Sequence, residues 1–555
     1  MTRFERVLLI AGAPAIVIFA AAFVWVVGHR GIFLFDHGII MDGGYRVYLG
    51  QVPYRDINMA YLPGALWIQA LFFWLWGVNF SAMIVPACLF NAMAAAIVMR
   101  ICWRLFPGRV AACLVGGLLT AVWFQAPYGG LLHEECAFTF AALALWLLFE
   151  KGTGPLRTLL RCIAGILLWC AVLCKQNAGG LFIPIVFLVL FLQLVPSWKE
   201  VLRSWLAVAS GIAVGAAGFI FWLWRYSDFK RMRLFAIEIP SQVARERLFH
   251  SLSHAFKMMI GAAAPSFLPL FDAIWVTIAI VVALFAVFGT FSHVREKRAL
   301  SIAAFLSLAL FFYQQLFQLT ALNEAQNGLP FLGLMFALVL AASVELFDGN
   351  IDCRVLGRGQ VHLSIPRKAV RRCLAGLALF FSVLLFIYGY VEDVQRLVHF
   401  DRGTRFTETI NVRAASGALW AEPNLINKTV LKKSEFEAVA HFLEQHEGNF
   451  FTFPDAIILY SFVGRVPPQP LLYFTEGHSY RQQDISWLDP EILAALQKNH
   501  IRYFIQEKDA YLGNAGTLRE FPLVWNWLHA SFSPVANFGF FEVWERRPAQ
   551  SQPPG

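Results

Sequence analysis

Three carboxylates lie in a short polar stretch near the start of the chain, between two apolar segments. They are Asp36, Asp42 and Asp56, and Asp36 is followed directly by His37. A carboxylate at the boundary between lipid and water can take the proton of an acceptor hydroxyl while that hydroxyl attacks a substrate. The same acids could instead cap helices and turns in an ordinary loop, so the residue types alone leave both interpretations open.

Cationic side chains lie in two further segments. Lys175 interrupts an apolar run, where it could hold a phosphate as a point charge or extend toward the interface as a solvated side chain. The segment 225–267 carries a cluster of basic residues that includes Arg231 and Arg233. This cluster fits either a phosphate-binding loop or a solvated surface helix.

The composition indicates that these groups belong to a membrane protein. Of the 555 residues, 58% are hydrophobic and 15% are charged, and the mean hydropathy is +0.59. A soluble protein of this size does not need so much apolar surface. The net charge of +9 fits basic cytoplasmic loops, and no segment has the pattern of a nucleic-acid module, so no nucleic-acid partner is expected.

Apolar runs of roughly 20 residues predict membrane-spanning helices. The first run is too long for the apolar region of a signal peptide, so we expect a retained helix. The run 62–77 is short, begins near a proline and is rich in Trp, which favours a helix lying in the interface. The predicted spans are 7–28, 80–101, 109–126, 136–150, 160–174, 178–197, 205–224, 268–290, 299–319, 329–347 and 372–391.

The distribution of Lys and Arg predicts the orientation of the chain. Most basic loops fall on one side if the N-terminus is cytoplasmic, and only the segment 225–267 departs from this rule. We therefore expect an all-α polytopic membrane bundle of about 11 transmembrane helices over residues 1–391, with its first outer loop at 29–79. Residues 392–555 should then form a small extracytoplasmic α/β domain.

The C-terminal segment has the pattern of alternating helices and strands. Residues 401–433 read as a linker or irregular segment. Ser434 with Glu437 has the spacing of a capping box before a short helix. Asp489-Pro490 is typical of another helix start. Strands are predicted at Asn449 to Phe453, Ile501 to Ile505 and Phe538 to Trp544.

Several short motifs lie in the first loop, in two later stretches and in the C-terminal segment. They are Asp36-His37-Gly38, Gly50-x-x-Pro53-Tyr54-Arg55-Asp56, Pro63-Gly64, Leu75-Trp76-Gly77, His133-Glu134-Glu135, Cys174-Lys175-Gln176-Asn177 and Phe453-Pro454-Asp455. Together these motifs resemble those of the polytopic GT-C glycosyltransferases, which include polyprenyl-phosphate mannosyltransferase-like and aminoarabinose-transferase-like enzymes. The first-loop pattern is the strongest part of the resemblance.

The resemblance implies transfer of a sugar from a polyprenyl-phosphate carrier, with inversion at the anomeric carbon, to a lipid, glycan or protein of the cell envelope. Asp36 would be the general base, although the family has Asp-Glu where this chain has Asp36-His37, and Asp42 is the second candidate. Lys175, with Arg231 or Arg233, would stabilise the phosphate leaving group. No cofactor is certain; a divalent metal could take part, but no metal ligand is assigned.

The remaining polar residues of the matching loops are candidates for binding the sugar or the acceptor. These candidates are His37, Arg55, Asp56, His133, Glu134, Glu135 and Gln176. The protein would be a multi-pass protein of a bacterial inner membrane, with its C-terminal domain on the periplasmic side. The alternative is a polytopic transporter or flippase for a lipid or glycan. Such proteins place ionisable groups near the middle of the membrane, whereas the acids of this chain lie in loops.

Overall fold

The structure is a computed structural model of the chain. Two predicted spans, 268–290 and 372–391, and nearly all of the segment 225–267 beyond Gln242 lie outside the residues that it describes. The described residues are 2–32, 34–125, 129–195, 197–242, 295–321, 330–348, 408–420, 424–426, 429–508 and 518–548, with the single positions Arg245, Val383 and Ile387.

Helices form the first part of the chain. They are α1 Arg3–Gly28, α2 Asp36–Tyr48, α3 Gly64–Trp76, α4 Ser81–Leu105, α5 Val110–Trp123, α6 His133–Phe149, α7 Gly154–Cys174, α8 Gln176–Leu194, α9 Trp198–Tyr226, α10 Phe229–Met232, α11 Arg295–Ala321 and α12 Leu332–Asp348.

Five of the described helices, α1, α4, α7, α8 and α9, are long and apolar enough to cross a membrane. Every predicted span within the described residues coincides with a helix, while the total of about 11 stays a prediction. The run 62–77 forms the short helix α3, whose C-terminal end exposes Trp74 and Trp76. Exposed indole rings suit contact with lipid head groups, where Trp is enriched.

The helices α7 and α8 form a tight hairpin around a single residue. Lys175 is the only residue between them, and its backbone is extended, with φ of −152° and ψ of 112°. The two helices come close because Gly179 has no side chain: a Cβ there would lie 2.2 Å from the backbone nitrogen of Val172. This packing fixes Lys175 at the end of the bundle where α2 begins.

The C-terminal segment has a mixed sheet covered by helices. Strands β5 (Asn449–Phe453) and β6 (Ile501–Glu507) are parallel. Strands β8 (Phe541–Arg546) and β7 (Phe532–Phe538) continue the sheet as antiparallel neighbours, in the order β5-β6-β8-β7. The elements are β1 Glu408–Thr409, β2 Leu419–Trp420, β3 Asn424–Ile426, β4 Thr429–Leu431, α13 Lys433–Gln445, β5 Asn449–Phe453, α14 Ile458–Val463, α15 Ile485–Lys498, β6 Ile501–Glu507, α16 Pro522–Ser531, β7 Phe532–Phe538 and β8 Phe541–Arg546. The predicted strands Asn449 to Phe453 and Ile501 to Ile505 are present as β5 and β6. The predicted strand Phe538 to Trp544 is wrong in its bounds, because it covers the end of β7, a turn and the start of β8. Residues 401–433, predicted as a linker or irregular segment, contain the paired strands β1 to β4.

Two predicted helix starts in this segment are wrong. The helix α13 begins at Lys433, and the Glu435 carboxylate accepts the Lys432 N–H, whereas Glu437 accepts from Asn411. Asp489 lies inside α15. Its carboxylate accepts the backbone N–H groups of Leu523 and Val524 at the start of α16, at 2.7 and 3.1 Å. A capping acid can serve a helix that is distant in sequence, which spacing alone does not reveal.

The first loop and the C-terminal segment are hydrogen bonded to each other. Asn58 donates its backbone N–H to the carbonyl of Pro470 at 2.7 Å and accepts from Leu472 at 3.1 Å. Further along, Phe80 donates to Ala414 at 2.7 Å. The loop that carries the acids and the mixed sheet therefore lie at the same end of the helical bundle.

Candidate active site

The helix α2 presents Asp36 in its first turn. A carboxylate is stabilised there by the unpaired backbone N–H groups and the positive end of the helix dipole. Asp36 is half-buried, and the neighbouring His37 is fully buried, with its ring centroid 5.4 Å from that of Phe80. Of the two residues, Asp36 is thus the one that a substrate could reach.

Lys175 forms an ion pair with Glu134, which lies in the first turn of α6. Both side chains are more than nine-tenths buried. The ammonium group also lies 5.3 Å from the ring centroid of Tyr61 and 5.5 Å from that of Phe317. Aromatic faces attract a cation at these distances, so the lysine is held between a carboxylate and two rings.

Asp36 belongs to the same electrostatic neighbourhood as Lys175. Burial lowers the pKa of Lys175 to about 7, and the negative charge of Asp36 opposes this shift. Burial raises the pKa of Tyr473; a hydrogen bond with Tyr61 opposes that shift, and the charge of Asp36 adds to it. The structure thus brings together an acid from α2, a lysine from the α7–α8 turn and a tyrosine from the C-terminal segment.

Aromatic rings form the wall beside these charges. Tyr61 is central: its ring centroid lies 4.3 Å from that of His133 and 6.4 Å from that of Tyr473, and its carbonyl accepts the Tyr54 hydroxyl at 2.5 Å. Tyr473 also contacts Phe35 edge to face at 5.4 Å. Flat rings next to an acid and a cation suit a ligand with both an apolar face and polar groups.

Asp42 has a different environment from Asp36. It pairs with Arg46 one helical turn later, at 2.8 Å, and both side chains are fully buried. Arg46 also donates to the carbonyl of Gln469 at 2.7 Å, which ties α2 to the C-terminal segment. Burial raises the pKa of Asp42 to about 6, although Arg46 opposes the shift. The two candidate bases are therefore separated, one half-buried and the other enclosed in an ion pair.

The arginines after α9 are also paired. Arg231 makes two hydrogen bonds to Glu491 of α15, at 2.6 and 3.0 Å, and both side chains remain about one-third exposed. Arg233 pairs with Glu238 at 2.8 Å within a stretch of wide π-helical turns, Arg233–Glu238. Such turns often occur at functional sites. A phosphate ligand would have to compete with these carboxylates.

Gln176 connects this π-helical stretch to the first loop. Its side-chain amide donates to the carbonyls of Ala60 and Ala236, each at 2.8 Å. Because Ala60 precedes Tyr61 and Gln176 follows Lys175, the amide holds two walls of the site in place. The NH2 group of Gln176 therefore positions neighbouring segments of the site.

The other candidates lie at the edge of the site or inside the protein. Arg55 and Asp56 pair at 2.7 Å on the surface, and the Asp56 carboxylate accepts the Val52 N–H. Glu135 is fully buried in the first turn of α6. Among the described residues, no group of three or more His, Cys, Asp or Glu side chains is arranged to hold a metal ion.

Tyr473 and Phe317 are site residues that the sequence did not single out. They come from a C-terminal loop and from α11, and both are aromatic residues in a chain with 53 Phe and 14 Tyr. Their position beside Lys175 and Tyr61 depends on contacts between distant segments, for which the sequence holds no local signal.

No protein-family model and no curated protein matches the chain, but several solved structures align with it. The archaeal oligosaccharyltransferase AglB from Archaeoglobus fulgidus, in complex with an inhibitory peptide and a dolichol-phosphate, is 10% identical, with a TM-score of 0.45 over 91% of this chain and 70% of that one. ArnT from Cupriavidus metallidurans bound to undecaprenyl phosphate is 12% identical, with a TM-score of 0.47 over 100% of both chains. The arabinofuranosyltransferase AftD from Mycobacteria is 13% identical, with a TM-score of 0.48 over 98% of this chain and 40% of that one.

These neighbours are GT-C fold glycosyltransferases, the group that the sequence motifs resemble. The identities of 10 to 13% and TM-scores of 0.45 to 0.48 are low. They transfer no residue role and no substrate to this chain, so its chemistry has to be argued from its own side chains.

Proposed function

We propose that the chain is an integral membrane glycosyltransferase that moves a sugar from a polyprenyl-phosphate donor to an acceptor of the cell envelope, with inversion. One observation carries the proposal. A buried lysine and a half-buried acid share one electrostatic neighbourhood, walled by aromatic rings, at the loop end of an apolar helical bundle.

Lys175 is the group that would receive the donor phosphate. A phosphate leaving group needs its developing charge stabilised, and a buried cation does this strongly because little water screens it. The Lys175 ammonium already bridges Glu134 and the ring of Tyr61. An arriving phosphate would replace part of that carboxylate interaction, and the prenyl chain would lie against the apolar helices. Arg231 and Arg233 are the further candidates for this phosphate.

Asp36 is the proposed general base. Its carboxylate is half-buried, so an acceptor hydroxyl can approach it, and it lies close enough to Lys175 to shift the pKa of the lysine. Asp42 is the second candidate, but it is fully buried and already occupied by Arg46. The polar side chains of His133 and Gln176, with the rings of Tyr61 and Tyr473, would then contact the sugar.

A transporter or flippase is the competing function. In the five long spans, most charged residues of the described chain lie near the helix ends, such as Arg100 and Arg104 in α4 and Lys199 and Arg225 in α9. Arg161, which is buried seven residues into α7, is an exception. Transport pathways instead use ionisable groups near the middle of the membrane. The distribution therefore favours chemistry at one surface.

Release of polyprenyl phosphate tests the proposal directly. Purified protein in nanodiscs would be given a panel of polyprenyl-phosphate sugars and an envelope extract as the acceptor source. Wild-type protein should release the carrier and Asp36→Asn should not, while Asp484→Asn, which removes a paired acid of the C-terminal segment, serves as the control. Folded wild-type protein that moves the intact lipid-linked sugar across the bilayer without releasing phosphate would overturn the transferase and support a flippase.

We also propose that residues 392–555 lie on the extracytoplasmic side of the membrane. The distribution of cysteines makes this location testable. No native cysteine follows Cys373, so Ser486→Cys would place one thiol in the C-terminal segment at a position exposed to water. A maleimide that cannot cross membranes should label this thiol in intact spheroplasts. Labelling only after lysis would place the segment, and with it the site, on the cytoplasmic side.

A further inference from the structure

Two carboxyl groups meet at the carboxyl ends of the parallel strands β5 and β6. Glu507 is the last residue of β6, and Asp455 follows β5 by two positions. One Glu507 oxygen accepts the backbone N–H groups of Asp455 at 2.8 Å and of Ala456 at 2.7 Å. Both acids are at least 95% buried. Glu507 therefore fixes the turn that leaves β5.

The environment of this pair favours a bound proton. Burial raises the pKa of Glu507 well above its usual value, the charge of Asp455 adds to the shift, and the two N–H donors oppose it. On the other side, β8 places the apolar residue Phe541 opposite Glu507. Two ionised carboxylates cannot share such a site cheaply.

The turn held by Glu507 packs directly on the helix that carries the proposed base. A Cβ atom built on Gly38 would lie 2.9 Å from Ile457 Cγ1 and 3.4 Å from the backbone nitrogen of Ile458. Gly38 is two residues after Asp36, in the first turn of α2. Any displacement of the turn would therefore be passed to Asp36 through a contact that has no spare room.

We propose that Glu507 is a positioning residue for glycosyl transfer: its carboxyl group holds the turn 454–458 against the first turn of α2 and so sets the position of Asp36. The inference rests on the proposed function for its kinetic consequence, while the mechanical link from Glu507 to α2 stands apart from it. Glu507 touches no substrate in this arrangement.

Three substitutions separate positioning from general folding. Glu507→Gln keeps an oxygen that can accept both N–H groups, and Glu507→Leu removes it. Gly38→Ala adds a methyl group on α2 that would collide with Ile457 of the turn. Since a misplacement of about 1 Å can cost roughly 100-fold in rate, Glu507→Leu and Gly38→Ala should lower kcat by about 10- to 100-fold, with donor KM nearly unchanged. Glu507→Gln should stay within about threefold of wild type. The matched control is Glu545→Leu, which removes an exposed ion pair between Glu545 of β8 and Arg502 of β6.

Hydrogen exchange gives a readout that needs no activity. Glu507→Leu and Gly38→Ala should each speed amide exchange in the first two turns of α2 but not in α3, and Glu507→Gln should not. The positioning role would be overturned if amides of α2 exchanged at the wild-type rate in both Glu507→Leu and Gly38→Ala. It would also be overturned if Glu507→Gln and Glu507→Leu lowered kcat by the same factor. If wild-type protein releases no carrier, the proposed function fails, yet the exchange experiment still decides the mechanical link. If Glu507→Leu does not fold, the comparison of Gly38→Ala with Glu507→Gln decides whether the turn positions α2.

Discussion

Lys175 and Glu134 form an ion pair that is almost completely removed from water, at the point where α6 and the α7–α8 turn meet. The free energy needed to remove both charges from water offsets most of the free energy gained from their attraction. Such a pair therefore contributes little net stability compared with apolar side chains. A ligand that needs the cation, as proposed for the donor phosphate, would explain a buried ion pair at this position beside Tyr61. Removing one partner only would leave a buried charge uncompensated.

Single and double substitutions of this pair should separate stability from activity. Lys175→Met and Glu134→Gln should each destabilise the protein by about 3–5 kcal/mol, as expected when one partner of a buried pair is lost. The double variant should recover much of that stability but release no polyprenyl phosphate, because the cation is gone. Thermal unfolding in detergent and carrier release measure the two effects. A double variant with wild-type turnover would exclude Lys175 as the phosphate ligand.

The affinity for the donor should depend on pH through Lys175. Burial lowers the pKa of this lysine to about 7, so the ammonium is charged below that pH and loses its proton as the pH rises. Donor KM should therefore increase above about pH 7 while the phosphate itself stays ionised. KM measured from about pH 6 to 9 tests this, with Lys175→Arg as the comparison, since arginine keeps its charge throughout. The same rise in KM in Lys175→Arg would assign the titration to another group.

The two candidate bases should behave differently when each is made neutral. Asp36→Asn removes the acceptor for the hydroxyl proton and should lower kcat by about 10²- to 10⁴-fold with little change in unfolding temperature. Asp42→Asn leaves the Arg46 charge buried and unpaired, so it should cost about 3–5 kcal/mol of stability while the folded fraction keeps most of its kcat. Unfolding and single-turnover rates, measured on the same preparations, compare the two. A reversed pattern would make Asp42 the base.

The sequence predicted the parts of this structure that follow from local patterns. Apolar run length predicts the long helices among the described residues. The motif resemblance selects Asp36 and Lys175, which share one electrostatic neighbourhood in the structure. The pairing of Asp42 with Arg46 can also be predicted from sequence, because residues four apart share a helix face. The positions of Tyr473 and of Glu491, the partner of Arg231, cannot be predicted in this way. Each depends on how the C-terminal segment docks on the first loop and on the segment after α9.

The contact between Arg231 and Glu491 should be a docking contact as well as a candidate phosphate site. Because both side chains are about one-third exposed, Glu491→Gln should cost only about 0.2–1 kcal/mol. It should lower donor KM if Arg231 binds phosphate, because the competing carboxylate charge is gone, and leave KM unchanged if Arg231 serves docking alone. Arg231→Glu should raise donor KM if the arginine binds phosphate. The exchanged pair Arg231→Glu with Glu491→Arg separates the roles: restored stability with a raised KM supports phosphate binding. A KM that returns to wild type shows that Arg231 serves docking alone.

The stability of the C-terminal sheet should fall as pH rises, because of Glu507. The folded state raises the pKa of this carboxyl through burial and the nearby Asp455, so the folded protein binds a proton that the unfolded chain has already released above about pH 4.3. Stability decreases with pH wherever the native state binds more protons. The contribution of Glu507 is therefore complete below the unfolded pKa and is lost as pH rises toward the folded pKa. Glu507→Gln carries no titrating proton and should remove this part of the slope. Unfolding followed by hydrogen exchange in β5 and β6 at several pH values measures it, and parallel slopes for wild type and Glu507→Gln would show that the pair does not hold the proton.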